Sequence, residues 1–81
     1  MVKVNLWSGL RALADGNSVV EVSATTVGEV LSGLVAAYPG LEDAIETGVS
    51  VSVDGRIIVS GLTEPVSDAS EVFLMQRLKG G

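Results

Sequence analysis

The first seven positions place their apolar residues on alternate sites, with Val2, Val4 and Leu6 on one side and Lys3, Asn5 and Trp7 on the other. A period of two marks a strand with one buried face. The stretch from Ser18 to Ser23 repeats it, Val20 and Val22 sharing a face, and the short connection ending at Asp15-Gly16 predicts an antiparallel hairpin. Inside that connection, Leu10-Arg11-Ala12-Leu13-Ala14 predicts a single helical turn. From Thr26 to Tyr38 the spacing changes: Val27, Val30, Leu31, Leu34, Val35 and Tyr38 recur every third or fourth residue and form one apolar stripe on a helix. Thr26 and Glu29 have capping-box spacing, in which each side chain satisfies a backbone donor left open at the helix start. Pro39-Gly40 ends the helix, because Pro disfavours helical backbone at Tyr38 and Gly accepts a left-handed turn. Gly28 and Gly33 each cost this helix up to about 1 kcal/mol relative to Ala, a cost that close approach to a sheet would explain.

Beyond the helix, Leu41 to Thr47 predicts a short second helix. Val49, Val51 and Val53 alternate with Ser50 and Ser52 in a further strand, and Asp54-Gly55 supplies a tight hairpin turn into a strand from Arg56 to Ser60. Gly61 to Ser70, with Pro65 and several small polar residues, reads as a loop in which Leu62 or Val66 turns inward. The last strand, Glu71 to Arg77, holds Val72-Phe73-Leu74-Met75, apolar on both faces as a central strand requires. The whole predicts an α+β domain: a mixed sheet of about five strands, one main helix packed on one face, and the other face open.

Composition narrows the functions. A chain of 81 residues forms one domain and buries only about 60% of its unfolded surface. It has no Cys and no His, so disulfides and the usual zinc frameworks cannot staple it. With 47% hydrophobic residues but only 4% aromatics, Val and Leu must fill the core. A net charge of −5 argues against nucleic acid as a partner, since phosphate binding needs clustered Lys and Arg. The basic residues are Lys3, Arg11, Arg56, Arg77 and Lys79, two of them in the last five positions. No basic segment followed by an apolar block opens the chain, and no apolar run approaches the roughly 20 residues of a membrane span. A soluble cytoplasmic protein with no membrane partner is expected.

Catalytic equipment is sparse. Without His or Cys the candidates are carboxylates, Ser, Thr and Lys. Glu42, Asp43 and Glu46 form the densest acidic cluster, either a metal site or, as is usual for charge clusters, a solvated face. Neither a GxGxxG nor a Walker phosphate loop is present. The expectation is a carrier or substrate protein, alone or as the small subunit of a synthase complex, rather than an enzyme by itself.

The chain ends Gln76-Arg77-Leu78-Lys79-Gly80-Gly81. At an average Gly usage of about 7%, two terminal glycines arise by chance in roughly one chain in 200. Lacking side chains, they can thread a narrow channel and expose the terminal carboxylate to activation. Arg77 and Lys79 either steer the tail towards an acidic groove or ATP phosphates, or keep it soluble and extended.

Over essentially its whole length the chain resembles the sulfur-carrier branch of the ubiquitin-like superfamily, typified by the small subunit of molybdopterin synthase and the thiamine-pathway sulfur carrier. The residues that carry the resemblance are Leu10-Arg11-Ala12-Leu13-Ala14, Thr26-Val27-Gly28-Glu29-Val30-Leu31 with Leu34 and Tyr38-Pro39, Val53-Asp54-Gly55, Glu71-Val72 and Gly80-Gly81. The resemblance implies a β-grasp fold over residues 1–76, with first and last strands parallel at the sheet centre, and a flexible tail over 77–81. It also implies that an E1-like adenylyltransferase activates Gly81 with Mg-ATP, no cofactor being bound by the chain itself. A sulfurtransferase or persulfide donor then yields a C-terminal thiocarboxylate, which a downstream sulfur-accepting synthase consumes. Attachment falls on Gly81 and Gly80, and partner binding on Phe73, Met75, Arg77, Leu78 and Lys79. The ending departs from the Pro-rich approach common in molybdopterin-type carriers and is closer to that of ubiquitin; aligned this way, Val72 and Leu74 face the core and Phe73 and Met75 lie on the open face, either as a docking patch or as residues packed by neighbouring strands and loops. A protein modifier joined through Gly81 to target lysines is therefore the alternative.

Overall fold

A computed structural model describes residues 1–58 and 62–76. Their order is β1 (Val2–Leu6), α1 (Ser8–Arg11) continued by a 3-10 turn (Ala12–Ala14), β2 (Val19–Val22), α2 (Val27–Ala37), α3 (Leu41–Thr47), β3 (Val49–Val53), β4 (Arg56–Ile58) and β5 (Glu71–Gln76). The ends predicted for the last two strands, at Ser60 and Arg77, lie outside the described residues.

The strands form one mixed sheet in the order β2-β1-β5-β3-β4. β1 and β5, the first and last, lie parallel at its centre with Val4 opposite Val72 and Leu6 opposite Leu74. The two hairpins, β1–β2 and β3–β4, flank them as antiparallel pairs. At the β3–β4 turn Asp54 and Gly55 both take positive φ, 52° and 84°, the geometry whose twist suits a two-residue hairpin. Asp54 also accepts a hydrogen bond from the Glu71 N–H at 2.9 Å, tying the turn to the start of β5.

One face of the sheet presents Val2, Val4, Leu6, Val20, Val22, Val51, Val53, Val72 and Leu74, all buried. Val27, Val30 and Leu34 of α2 close over them, with Leu10 and Leu41 filling the flanks. The core is Val and Leu with one Ala, as an aromatic-poor composition demands.

The helix start differs in detail from the capping box. Thr26 Oγ1 accepts from the Glu29 N–H at 3.2 Å. The Glu29 carboxylate, however, reaches one residue further back, to the backbone N–H of Thr25 at 2.7 Å and its hydroxyl at 2.8 Å. At the other end, Tyr38 leaves helical geometry before Pro39 as expected, with φ −136° and ψ 86°. Gly40 takes no left-handed turn: its φ of −63° makes it the entry to α3. The two helical glycines have different reasons. A Cβ at Gly33 would stand 3.2 Å from Val22 Cβ, so this is the close approach to the sheet. At Gly28 it would stand 3.0 Å from the carbonyl oxygen of Leu62, so there the neighbour is a loop.

That loop straps the start of α2. Glu64 and Leu62 carbonyls accept from the Val27 and Gly28 N–H groups at 2.9 and 2.8 Å, while Val66 N–H donates to Thr25. The strap thus satisfies donors that no intrahelical carbonyl can reach. Of the two loop residues expected to turn inward, Val66 is buried and Leu62 is 62% exposed.

Candidate functional site

Helix and strap cover one sheet face, and among the described residues no element covers the other. The register reads this open face row by row, since residues opposite one another share a face. The lowest row is charged: Glu21, Lys3 and Glu71. The next runs Val19, Asn5, Phe73, Ser52, Ile57 across all five strands. Above it Met75 lies opposite Ser50. Among the described residues, carboxylates and ammonium thus occupy only the end of the open face where β1 and β5 begin, and the upper rows carry no charge.

Those upper rows hold exposed apolar surface. Val19 and Ile57 are 45% and 57% exposed, and Trp7, which follows β1, is 51% exposed. Phe73 and Met75 are half-buried. Ser52, the buried polar residue of the sheet, sits between Phe73 and Ile57 in register. Asn5 pins the central pair by donating from its side chain to the Val72 carbonyl at 3.1 Å. The Trp7 backbone N–H donates to the Leu74 carbonyl at 3.1 Å, which fixes this residue beside the upper end of β5.

The structure places Phe73 and Met75 together on the open strip, and opposite them Val72 and Leu74, fully buried. Arg77, Leu78, Lys79, Gly80 and Gly81 lie outside the described residues. Trp7, Val19 and Ile57 extend the strip beyond the residues singled out in the sequence. Trp7 was signalled by its alternation with Lys3 and Asn5. Val19 and Ile57 were not signalled, because their places opposite Asn5 and Ser52 are set by pairing between distant segments.

Electrostatics adds little chemistry. Among the described residues Glu29 alone shows a clear pKa perturbation: the Thr25 backbone N–H, and then its hydroxyl, stabilise the carboxylate and hold it below the ordinary value. Among the described residues no three acidic side chains gather as a metal-holding group, so Glu42, Asp43 and Glu46 stand as a surface cluster on α3. No helix among them is long and apolar enough to cross a membrane. Arg11 is engaged with the Leu6 carbonyl at 2.9 Å and Arg56 with Glu64 at 3.1 Å, whereas Lys3 is exposed on the charged row.

A mixed sheet with a central parallel pair, grasping one amphipathic helix and offering its far face, is the β-grasp of ubiquitin-like carriers and modifiers. The model of the ThiS family matches residues 4–81, and the chain belongs to that family. Among solved structures it is similar to small archaeal modifier protein 1 of Methanosarcina acetivorans, with 28% identity and a TM-score of 0.84 over 99% of this chain and 95% of that one. The protein of the same name from Haloferax volcanii is also 28% identical, with a TM-score of 0.80 over 99% and 98% of the two chains. CysO of Mycobacterium tuberculosis, described as an antigen, is 25% identical, with a TM-score of 0.81 over 96% and 100%. A search of curated proteins found no match.

Proposed function

We propose that this chain is a sulfur carrier, charged as a thiocarboxylate on Gly81 after adenylation by an E1-like enzyme that docks on the upper open face. The observation that carries the reading is the continuity of that uncharged strip with β5. The strand that presents Phe73 and Met75 is the one whose continuation ends in Gly80-Gly81. The five residues after Gln76 span at most about 17 Å when extended, so an enzyme seated on Phe73 and Met75 has the terminal carboxylate within reach of its ATP site. Membership of the ThiS family supports the same reading.

The chemistry is group transfer at a carboxyl carbon. The Gly81 carboxylate attacks the α-phosphorus of Mg-ATP and pyrophosphate leaves. The terminal sulfur of a persulfide then attacks the acyl-adenylate carbon, and AMP departs. A second thiol cleaves the S–S bond, leaving the thiocarboxylate on Gly81 and a disulfide on the donor side. With no cysteine in the chain, the terminus is the only group on which it can carry sulfur covalently as a thiol. A downstream synthase accepts that sulfur.

A second reading replaces sulfur by a lysine amine of a target protein. The Arg77-Leu78-Lys79-Gly80-Gly81 ending, and the 28% identity to proteins named as modifiers, favour it. Both readings share the adenylate, so intact mass after incubation with cell extract, Mg-ATP and a persulfide donor separates them. Exchange of one oxygen for sulfur, localised to the C-terminal peptide, supports the carrier. Gly81 found in isopeptide linkage with no sulfur exchange supports the modifier, and neither product overturns both.

A further inference from the structure

On the side of the molecule away from the open sheet face, α2, α3 and the strap border a shallow, open cleft of about 430 Å³. Leu31, Val35 and Ile45 form its apolar floor, Leu62 one wall, and Glu42 and Glu46 its rim. We propose that this cleft is a second docking site, and that its occupant is a basic amphipathic helical segment of a partner protein, bound independently of the open face and the tail.

The wall comes first. Leu62 is 62% exposed, yet its carbonyl is fixed by the Gly28 N–H at 2.8 Å, and the absence of a side chain at Gly28 lets the strap lie that close. A large apolar side chain is therefore held outward on a tethered backbone beside three further half-buried apolar residues. Seating an apolar side chain there removes its surface and theirs from water without reordering the loop.

Charge selects the partner. Glu42 and Glu46 are four residues apart on α3 and so lie one above the other on one helix face. Asp43 on α3 and Glu29 on α2 add to the acidity, and neither helix contains a single Lys or Arg. An acidic rim with no Lys or Arg on either flanking helix, over an apolar floor, complements a helix with Leu on one side and Lys or Arg along its flank. It repels acidic segments and anionic membrane surfaces. The open face shows the contrary pattern, its apolar strip carrying no charge among the described residues, so the two surfaces discriminate between partners and can be occupied together.

The test uses the full chain, labelled for residue-resolved NMR, and two synthetic amphipathic peptides of identical Leu pattern, one bearing Lys and the other Glu on the polar face. The Lys peptide is expected to shift the signals of Leu31, Val35, Ile45 and Leu62, and the Glu peptide to shift none of them. Glu42→Gln with Glu46→Gln weakens Lys-peptide binding about three- to tenfold at low salt, as loss of two exposed ion pairs should. Leu62→Ser weakens it comparably, and Phe73→Ser leaves it within about twofold. Shifts confined to Phe73, Met75 and Ile57, equal binding of both peptides, or no binding overturn the proposal. Concentration-dependent shifts of the cleft residues without peptide would make a second copy of the chain the occupant, and shifts of residues 78–81 in the Glu42→Gln, Glu46→Gln chain would make it the chain's own tail. Either result overturns it too.

Discussion

The two faces of β5 are built from neighbouring residues and have opposite fates. Val72 and Leu74 are fully buried beneath α2, and Phe73 and Met75, one step along the same strand, stand on a face with no cover among the described residues. The buried positions of the covered face are all Val and Leu, with Ile58 of β4 packed at their edge, because interdigitation with a helix stripe demands complementary shape. The open face mixes Phe, Met, Ile, Val, Ser and Asn in its upper rows and confines charge to the lower one. A central strand flanked on both sides cannot avoid apolar character, but it needs nothing as large as Phe on the exposed side. A strip of this kind, on the strand that leads to Gly81, is the exposed apolar surface on which the proposed docking rests.

The contrast breaks most sharply at Leu74. Leu74→Ala should cost about 3–5 kcal/mol of unfolding free energy, a large share of the stability of so small a domain, whereas Phe73→Ala should cost less than half of that. Urea denaturation of the two variants measures the ratio. Equal losses would mean that the open face is a second core rather than a surface. The strap that helps hold α2 over the covered face comes next. Gly28→Ala pushes a Cβ against the Leu62 carbonyl at 3.0 Å and should destabilise by about 1–2 kcal/mol despite the better helix propensity of Ala. Gly33→Ala meets the Val22 side chain at 3.2 Å and should cost less, because a side chain yields more readily than a strapped backbone. Thermal melts of the pair show the order.

Legibility in the sequence followed the locality of the cause. Alternation of Val with Ser or Asn gave the strands, a stripe from Val27 to Tyr38 gave the helix, and Asp54-Gly55 gave its turn, because each is decided within a few residues. The division of β5 into Val72 and Leu74 against Phe73 and Met75 was not readable from periodicity, because all four residues are apolar and a one-residue slip exchanges the two faces; alignment with the ubiquitin-like ending supplied it. Pairing between segments far apart was not readable. Ile57 joins Phe73 only through β3, and nothing near Gly28 announces that Leu62 will lie against it. Gly40 was misjudged for a related reason: the start of α3, just beyond it, decides its backbone. The Gly80-Gly81 ending was conspicuous as chemistry from the sequence alone.

Smaller effects sharpen the covered side further. Thr26→Ala removes the acceptor for the Glu29 N–H and should cost about 1 kcal/mol, read from the denaturation midpoint. Glu29→Gln should do least. Its carboxylate is held below the ordinary value by Thr25, so its folded pKa lies under its unfolded one. The stability it adds is complete above the unfolded pKa and is lost as pH falls through the depressed folded value. Acid titration of stability should therefore be slightly shallower for Glu29→Gln just below the ordinary glutamate range, and the two curves should run parallel above it.

The most direct measurement exploits the missing cysteines. The chain and its Phe73→Ser variant, each confirmed folded, are incubated with cell extract, Mg-ATP and a persulfide donor, then treated with a thiol-alkylating reagent and followed by intact mass. The account predicts an adduct on the C-terminal peptide of the unsubstituted chain, forming at least about tenfold more slowly in the variant, as loss of a central docking residue should give. No adduct, in an extract that charges a control carrier, would contradict the account at its centre.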